Sequence, residues 1–299
     1  MTLPRPGSPA GDVPRRLPPG PAVLFCPADR PDRYAKALAA ADTVIIDLED
    51  AVAAERKAVA RDMLEAALGT LPPARTVVRI NSPRTDEGAA DIEMLRDSPL
   101  RYVLVPKAET PAELEAVAPL AAIALCETAR GVEQAVTLAS TPSCVGLFWG
   151  GEDLTADIGG RSSRDRNGVY LPHVQYTRAR VLLAATVAGV SAWDAVYLDI
   201  PDTAGLAEEC EQAVAMGFVA KVAIHPSHTG IIREVYRPGA DQVDWATRLL
   251  AAVAAAESGV VTFQGRMVDG PLLTMAQNII DASHAPAPAG EMSGERGAR

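Results

Sequence analysis

Much is missing from this chain of 299 residues, and each absence closes off a class of function. No apolar run reaches the ~18–20 residues that a membrane-spanning helix requires. Residues 1–21 are rich in proline and contain no apolar h-region, so they read as a disordered arm and not as a secretory signal. No GxGxxG, Walker A or HExxH motif occurs, and the glycines at Gly151, Gly159 and Gly160 are too scattered to form a nucleotide fingerprint. Cys26, Cys126, Cys144 and Cys210 show no CxxC spacing. Three of them lie in or beside apolar runs, where a reduced thiol behaves as a small hydrophobe; buried thiols and a cytoplasmic location are the expectation. Positive charge is also short, with 28 Lys and Arg against 38 Asp and Glu, a net charge of −10. That balance disfavours nucleic acid and anionic membranes as partners, while leaving room for a local phosphate contact.

What is present is a soluble globular composition, 48% hydrophobic and 22% charged. After the arm, apolar strand-like runs alternate with helix-like segments. The runs cover residues 23–28, 43–50, 76–81, 102–107, 123–128, 144–151, 195–199 and 221–226. Between them, Ala, Leu, Glu and Arg recur at helical spacing, as in residues 55–68, 111–120 and 173–188. Near-continuous apolar strands joined by helical crossovers imply a parallel sheet covered on both faces. Eight such units predict a (β/α)8 TIM barrel over residues 22–237, with a doubly wound open sheet as the alternative. Beyond it, residues 238–283 read as a C-terminal extension of helix, hairpin and helix, and residues 284–299 as a disordered tail. The polar loop within residues 154–171 has a length usually reserved for function.

The strand ends favour the barrel. They carry Asp47, Glu49 and Asp50, then Arg79 and Asn81, Lys107, Glu127, Glu152 and Asp153, Asp199 and His225. In a closed barrel these would converge on the carboxyl-terminal face, where barrel enzymes keep their active sites.

Glu127 and Asp153 end successive apolar runs and admit two readings. They could share a hard divalent cation, which takes oxygen ligands and keeps several waters. Alternatively, each acid caps the helix that follows it. Arg79, inside an apolar run, needs an anion to face it: either a substrate carboxylate or developing oxyanion, or a structural partner such as Glu49 or Asp50. Lys107 is placed to neutralise acids or to bind substrate. Asp47, Glu49, Asp50 and Glu152 read as supporting groups around the metal ligands. Lys57 and Arg61 lie four residues apart on one helix face, either as a solvated basic face or as a phosphate contact. His225 reads as a packed, hydrogen-bonded histidine.

Eight short motifs, in order and sensibly spaced, resemble the citrate lyase β-subunit-like family of the HpcH/HpaI aldolase superfamily, in particular its stand-alone actinobacterial CitE-like members. They are LFCPADR from Leu24, DLED from Asp47, VRIN from Val78, VPK from Val105, ETARG from Glu127, GEDL from Gly151, IHPS from Ile224 and MVDGP from Met267. The resemblance implies a TIM barrel, often trimeric, that uses Mg2+ (or Mn2+ in its place) on β-hydroxyacyl-CoA thioesters such as citramalyl-CoA or malyl-CoA. It implies cleavage to a 2-oxoacid and acetyl-CoA, or the reverse condensation. It places the metal on Glu127 and Asp153, sets Arg79 against the 2-oxoacid or thioester oxyanion, and makes Asp269 an acid/base delivered from the C-terminal extension of a neighbouring subunit. Lys107, Lys57 and Arg61 are the remaining candidates for substrate contact. Three other readings stand beside this one: a citryl-acyl-carrier lyase subunit of a multi-protein citrate lyase, a metal-dependent aldolase of free 2-oxoacids, and a catalytically silent CoA-binding protein.

Overall fold

A computed structural model describes residues 14–255 and 261–284. Residues 1–13 of the expected arm and 285–299 of the expected tail lie outside the described residues. The chain divides into two compact units, one ending at Ile232 and the other beginning at Arg233, a boundary slightly earlier than the expected residue 237.

In the first unit eight parallel strands close into a barrel in sequence order: β1 Ala22–Pro27, β2 Thr43–Asp47, β3 Thr76–Arg79, β4 Tyr102–Val105, β5 Ala121–Cys126, β6 Cys144–Trp149, β7 Ser191–Asp194 and β8 Ala220–Ala223. Helices follow the strands: α1 Tyr34–Ala40, α2 Lys57–Ala67, α3 Asp86–Arg96, α4 Pro111–Glu115, α5 Ala129–Glu133, α6 Ala135–Ala139, α7 Gly151–Asp157, α8 Pro172–Ala188, α9 Thr203–Met216 and α10 Ser227–Tyr236. The open-sheet alternative is therefore excluded. Inside the barrel Val23, Ile45, Val77, Leu104, Ile123, Leu125, Phe148, Trp193 and Val222 pack into one cluster. Side chains in a strand alternate between faces, so the residue two positions beyond an inward-facing one also faces inward. That rule carries Asp47 (after Ile45), Arg79 (after Val77) and Glu127 (after Leu125) to the carboxyl-terminal mouth on the same face.

Strand seven departs from the sequence reading. The apolar run over residues 195–199 is not the strand; Ser191–Asp194 is. Asp194 is fully buried in it, on the outward face, because Arg178 of α8 and Lys221 of β8 neutralise it there. An acid and a lysine paired behind the sheet hide the strand's apolar character from a linear reading. Asp199 is consequently exposed, beyond the strand end.

The arm also needs correction. Its last stretch, residues 14–21, is ordered against the amino-terminal end of the barrel. Leu17 packs on the interior cluster, directly over Gly146, where an added Cβ would collide with it. Thr43 Oγ1 donates to the Pro19 carbonyl at 2.7 Å, and the Lys221 N–H donates to the Pro21 carbonyl at 3.0 Å. Proline richness signals an absence of helix, and here it accompanies an irregular segment tied to the barrel end.

The second unit contains helix α11 Ala240–Ala254, the antiparallel pair β9 Val261–Phe263 and β10 Arg266–Val268, and helix α12 Gly270–Ser283, in the order expected. The two-residue turn Gln264-Gly265 has φ +50° and +78°, the left-handed geometry that suits tight hairpins. Ala246, Leu249 and Ala276 are buried at its core, with Trp245, Leu272 and Ile280 packed around them.

Candidate active site

Strand pairing aligns the first two charged groups of the mouth. Asp47 lies in register with Arg79, and the Arg79 guanidinium grips it in a fork, Nε to Oδ1 at 2.7 Å and Nη2 to Oδ2 at 2.6 Å. Its third nitrogen, Nη1, lies 3.0 Å from Glu49 Oε2 and 3.6 Å from Asp50. The guanidinium also sits 4.8 Å from the centre of the Phe25 ring. Burial works against the Arg79 charge, but the hydrogen bonds and charge of Asp47, with Glu49 and Asp50, outweigh it and raise the pKa. Structural ion pairing of Arg79, one of the two sequence readings, is thus present. Asp47 is the main partner, ahead of the Glu49 or Asp50 expected. With the Nε–Nη2 edge of the guanidinium anchored on Asp47, Nη1 is held in a fixed direction.

Glu49 is buried. Its Oε1 accepts from Lys107 Nζ at 2.5 Å, while Oε2 has no hydrogen-bond partner among the described residues; the Arg79 contact is an ion pair off the N–H direction. Burial raises the Glu49 carboxyl pKa against the lowering effect of Arg79 and Lys107.

Lys107 follows Pro106 just past β4 and takes φ +47°, a left-handed conformation that costs a non-glycine residue ~1–2 kcal/mol. The turn directs its backbone N–H at Glu127 Oε1, 3.0 Å away. Its ammonium lies 3.9 Å from the same Glu127 oxygen, 3.7 Å from Asp153 Oδ1 and 3.8 Å from Asp50 Oδ2. Burial opposes the Lys107 charge; the hydrogen bond it donates to Glu49 and the charges of Glu127, Glu49 and Asp50 more than compensate and raise its pKa.

Glu127, 2% exposed, directly follows β5. The pairing of Cys126 with Trp149 sets it level with Gly150. An added Cβ at Gly150 would stand 3.0 Å from Glu127 Oε2, so the glycine leaves the carboxylate its room. Burial, and then the charge of Asp153, push the Glu127 carboxyl up to about 8. Asp153 projects from the first turn of helix α7, Gly151–Asp157, and its side chain is 39% exposed. Neighbouring Glu152 turns elsewhere and accepts from the Ser163 hydroxyl, which ties the polar loop after α7 to the site's edge.

Among the described residues no three acids, histidines or cysteines form a metal cage. Two carboxylates facing one ammonium, Lys107 Nζ, are nonetheless enough for a hydrated Mg2+, since it completes its shell with water and substrate oxygens. The buried Glu127 carboxylate, raised in pKa beside a second acid, is short of positive charge. The oxygen-only donor set therefore fits a hard divalent cation.

The remaining expected residues fall elsewhere. Arg61 is committed to acids: Nε donates to Asp91 Oδ1 at 2.7 Å and Nη2 to Glu87. Lys57 Nζ donates to the carbonyls of Leu48 and Glu49 at 2.8 and 2.5 Å. Both side chains fasten α2 to its surroundings, so each already has partners within the fold. His225 is exposed, its Nδ1 2.7 Å from Ser227 Oγ, and is not the packed histidine expected. Asp269, in the second unit, caps α12 by accepting the Leu272 N–H at 3.2 Å. The sequence reading missed Asp91, whose Oδ2 accepts both the backbone and side-chain N–H groups of Asn81 at 2.8 Å. Its only local signal is an acid on the buried stripe of an amphipathic helix.

A barrel that gathers acids, an arginine and a lysine at its carboxyl-terminal mouth is the architecture of a barrel enzyme acting on anions. The model of the HpcH/HpaI aldolase/citrate lyase family matches residues 22–226, and the chain belongs to that family. The citrate lyase subunit beta-like protein of Mycobacterium tuberculosis H37Rv is 48% identical over 261 residues, covering 87% of this chain and 94% of the relative. The (3S)-malyl-CoA thioesterase of Cereibacter sphaeroides is 34% identical over 276 residues (89% and 95%). Human mitochondrial citramalyl-CoA lyase is 33% identical over 300 residues (90% and 85%). The structure of M. tuberculosis CitE in complex with magnesium, acetoacetate and coenzyme A superposes with a TM-score of 0.84 at 47% identity, covering 88% of this chain and 98% of that one.

Proposed function

We propose that this protein is a Mg2+-dependent carbon–carbon lyase that cleaves, or forms, a β-hydroxyacyl-CoA such as citramalyl-CoA or malyl-CoA, with a 2-oxoacid and acetyl-CoA as the other side of the reaction. The observation that carries the reading is the acid pair Glu127 and Asp153 beside Lys107 and the anchored Arg79 at one barrel mouth. The coenzyme A and magnesium of the M. tuberculosis structure and the activity named for the human relative support it. Lys57 and Arg61 no longer contribute an argument for CoA, because both are engaged within the fold.

In this reading Glu127 and Asp153 would hold the metal, with Asp47, Glu49 and Asp50 as supporting groups and Glu152, bonded to Ser163, fixing the loop at the site's edge. The bound ion supplies a Lewis acid for the substrate's hydroxyl and carboxylate oxygens. Loss of the hydroxyl proton to a base lets the carbon–carbon bond break; its electron pair passes to the thioester enolate and the former alcohol carbon becomes the 2-oxoacid carbonyl. Arg79, fixed by Asp47, offers Nη1 to the negative charge that develops. Asp269 returns a proton to the enolate carbon, delivered from a neighbouring copy in a homotrimer. The exposed Met267, two residues before it, is apolar surface suited to such a contact. A cytoplasmic setting completes the proposal.

The test is a Mg2+-supplemented screen of malyl-, citramalyl-, citryl- and 3-hydroxy-3-methylglutaryl-CoA, with 2-oxoacid (or acetoacetate) and acyl-CoA release followed together. Stoichiometric release of both products from one thioester, abolished in Asp153→Ala with the fold intact, is expected. Release of free CoA without a 2-oxoacid would replace the lyase reading with thioester hydrolysis.

A further inference from the structure

Lys107 holds its backbone and its side chain in two different relationships to the same acid pair. Its main chain is fixed: the residue sits at φ +47°, its N–H donates to Glu127 Oε1 at 3.0 Å, and the next N–H, of Ala108, donates to the Leu125 carbonyl at 3.1 Å. Its ammonium lies within 4 Å of four carboxylates. Only one of these, Glu49 Oε1 at 2.5 Å, is a hydrogen-bond partner; Asp153 at 3.7 Å, Asp50 at 3.8 Å and Glu127 at 3.9 Å are held by charge alone. The side chain is 34% exposed, on a flexible four-carbon stem that can relocate without moving the backbone.

Lys107 is the one residue with side-chain nitrogen in ion-pair range of both Glu127 and Asp153 among the described residues. A divalent ion bound by those carboxylates at ~2.0–2.1 Å would come to lie close to Nζ, and like charges at that range repel. The ammonium and the divalent ion therefore compete for the same negative charge. A displaced ammonium stays tethered at the mouth, next to where an anionic substrate must approach a cluster otherwise dominated by acids.

Resting on the metal-site reading above, we infer that Lys107 is a tethered counter-ion, which the divalent cation displaces from Glu127 and Asp153 and which then binds the carboxylate of the 2-oxoacid. The metal ion thus enters first and prepares the anion site. Removing the ammonium has opposite effects on the two ligands: the metal binds more tightly and the 2-oxoacid more weakly. A residue that merely braces the carboxylates would give weaker metal binding on removal, and a residue that meets only substrate would leave metal affinity unchanged.

The experiment measures Mn2+ binding by the loss of the free-ion electron paramagnetic resonance signal, and pyruvate binding to the Mn2+-loaded protein by calorimetry. Wild type, Lys107→Met, Lys107→Arg and Asp153→Asn are compared as full chains, with thermal melting as the check on folding. Lys107→Met is expected to bind Mn2+ at least tenfold more tightly and pyruvate at least tenfold more weakly than wild type, and Lys107→Arg to return both toward wild type. Unchanged or weaker Mn2+ binding in a folded Lys107→Met overturns the inference. Failure of the metal-site reading is a separate result: wild type and Asp153→Asn would then bind Mn2+ equally, and the inference falls with it. Should Lys107→Met not fold, weaker Mn2+ binding in Lys107→Gln than in wild type overturns the inference, and tighter binding upholds it.

Discussion

Arg79 and Asp47 face one another across β2 and β3 through two hydrogen bonds, 2.7 and 2.6 Å long, at the barrel mouth. A lysine at position 79 keeps the charge but cannot fill both carboxylate oxygens at once or hold a third donor in place. Arg79→Lys is therefore predicted to lower kcat by about 10²–10³-fold, the usual consequence of losing an aimed donor. Arg79→Met, which strands Asp47 without its partner, is predicted to cost about 3–5 kcal/mol of stability. Steady-state kinetics and urea denaturation measure the two effects separately; a Lys variant with wild-type kcat would remove Arg79 from the chemistry.

Gly150 and Glu127 make a second checkable pair. A Cβ at residue 150 would stand 3.0 Å from Oε2 and 3.1 Å from the Cβ of Glu127, so the carboxylate must turn away and the two strand ends must part slightly. Gly150→Ala is predicted to weaken Mn2+ binding about 10–100-fold, comparable to losing a supporting contact around a metal ligand, with a melting temperature close to wild type. Unchanged Mn2+ affinity would show that Glu127 does not bind the metal in this orientation.

The mouth was legible in the sequence because inward-facing strand residues alternate. Asp47, Arg79 and Glu127 each stand two positions after a core residue at the end of an apolar run, so period two and a closed sheet are enough to bring them together. What lies behind the sheet was not legible in the same way. Lys221 sits between Ala220 and Val222 in a four-residue strand, and its partners Asp194 and Glu209 come from a different strand and a helix. No linear spacing connects them. The commitment of Arg61 to Asp91 escaped for the same reason: a helix face with two basic residues looks identical whether it meets solvent, phosphate or an acid on the next helix. The packing of Leu17 on the barrel escaped because a glycine in β6 is the only trace of its seat.

The Asp194 cluster carries a prediction about acid and alkaline stability. Asp194 accepts from Arg178 Nε and Nη2 at 2.9 Å, from Lys221 Nζ at 2.8 Å and from Trp149 Nε1 at 3.0 Å. Burial alone would raise its pKa, but the charges of Lys221 and Arg178 reverse this and hold it below the ordinary value of 3.8. Burial likewise opposes the Lys221 charge, and Asp194 and Glu209 raise its pKa above 10.5. A depressed acid stabilises the fold above its unfolded value and loses that contribution as pH falls through the folded one. A raised lysine stabilises the fold below 10.5 and loses the contribution as pH climbs through its folded value. The cluster's contribution is therefore constant over roughly pH 5–9. Lys221→Met is predicted to cost about 3–5 kcal/mol, and Lys221→Met with Asp194→Asn together less than the sum of the two singles. Additive losses in urea unfolding would mean the pair is not coupled.

Glu127 gives the opposite dependence. Its carboxyl rises from 4.5 to about 8 through burial and then the charge of Asp153. A raised acid favours the protonated fold, so without metal its contribution to stability declines as pH climbs from 4.5 toward about 8 and is level above that. A metal ion needs the carboxylate and must expel the proton. Apparent Mn2+ affinity is therefore predicted to increase about tenfold per pH unit on approaching pH 8 from below, with about one proton released per ion bound, and to level off at higher pH. The slope belongs to Glu127 and vanishes in Glu127→Gln along with most of the affinity, whereas Asp153→Asn lowers affinity and, by removing the neighbouring charge, moves the inflection to lower pH. Mn2+ titrations at several pH values, with proton release followed in weak buffer, measure slope and stoichiometry together. A flat affinity profile with no proton release would mean that Glu127 is already ionised at neutral pH, and that Lys107 and Arg79 compensate its burial more fully than the geometry indicates.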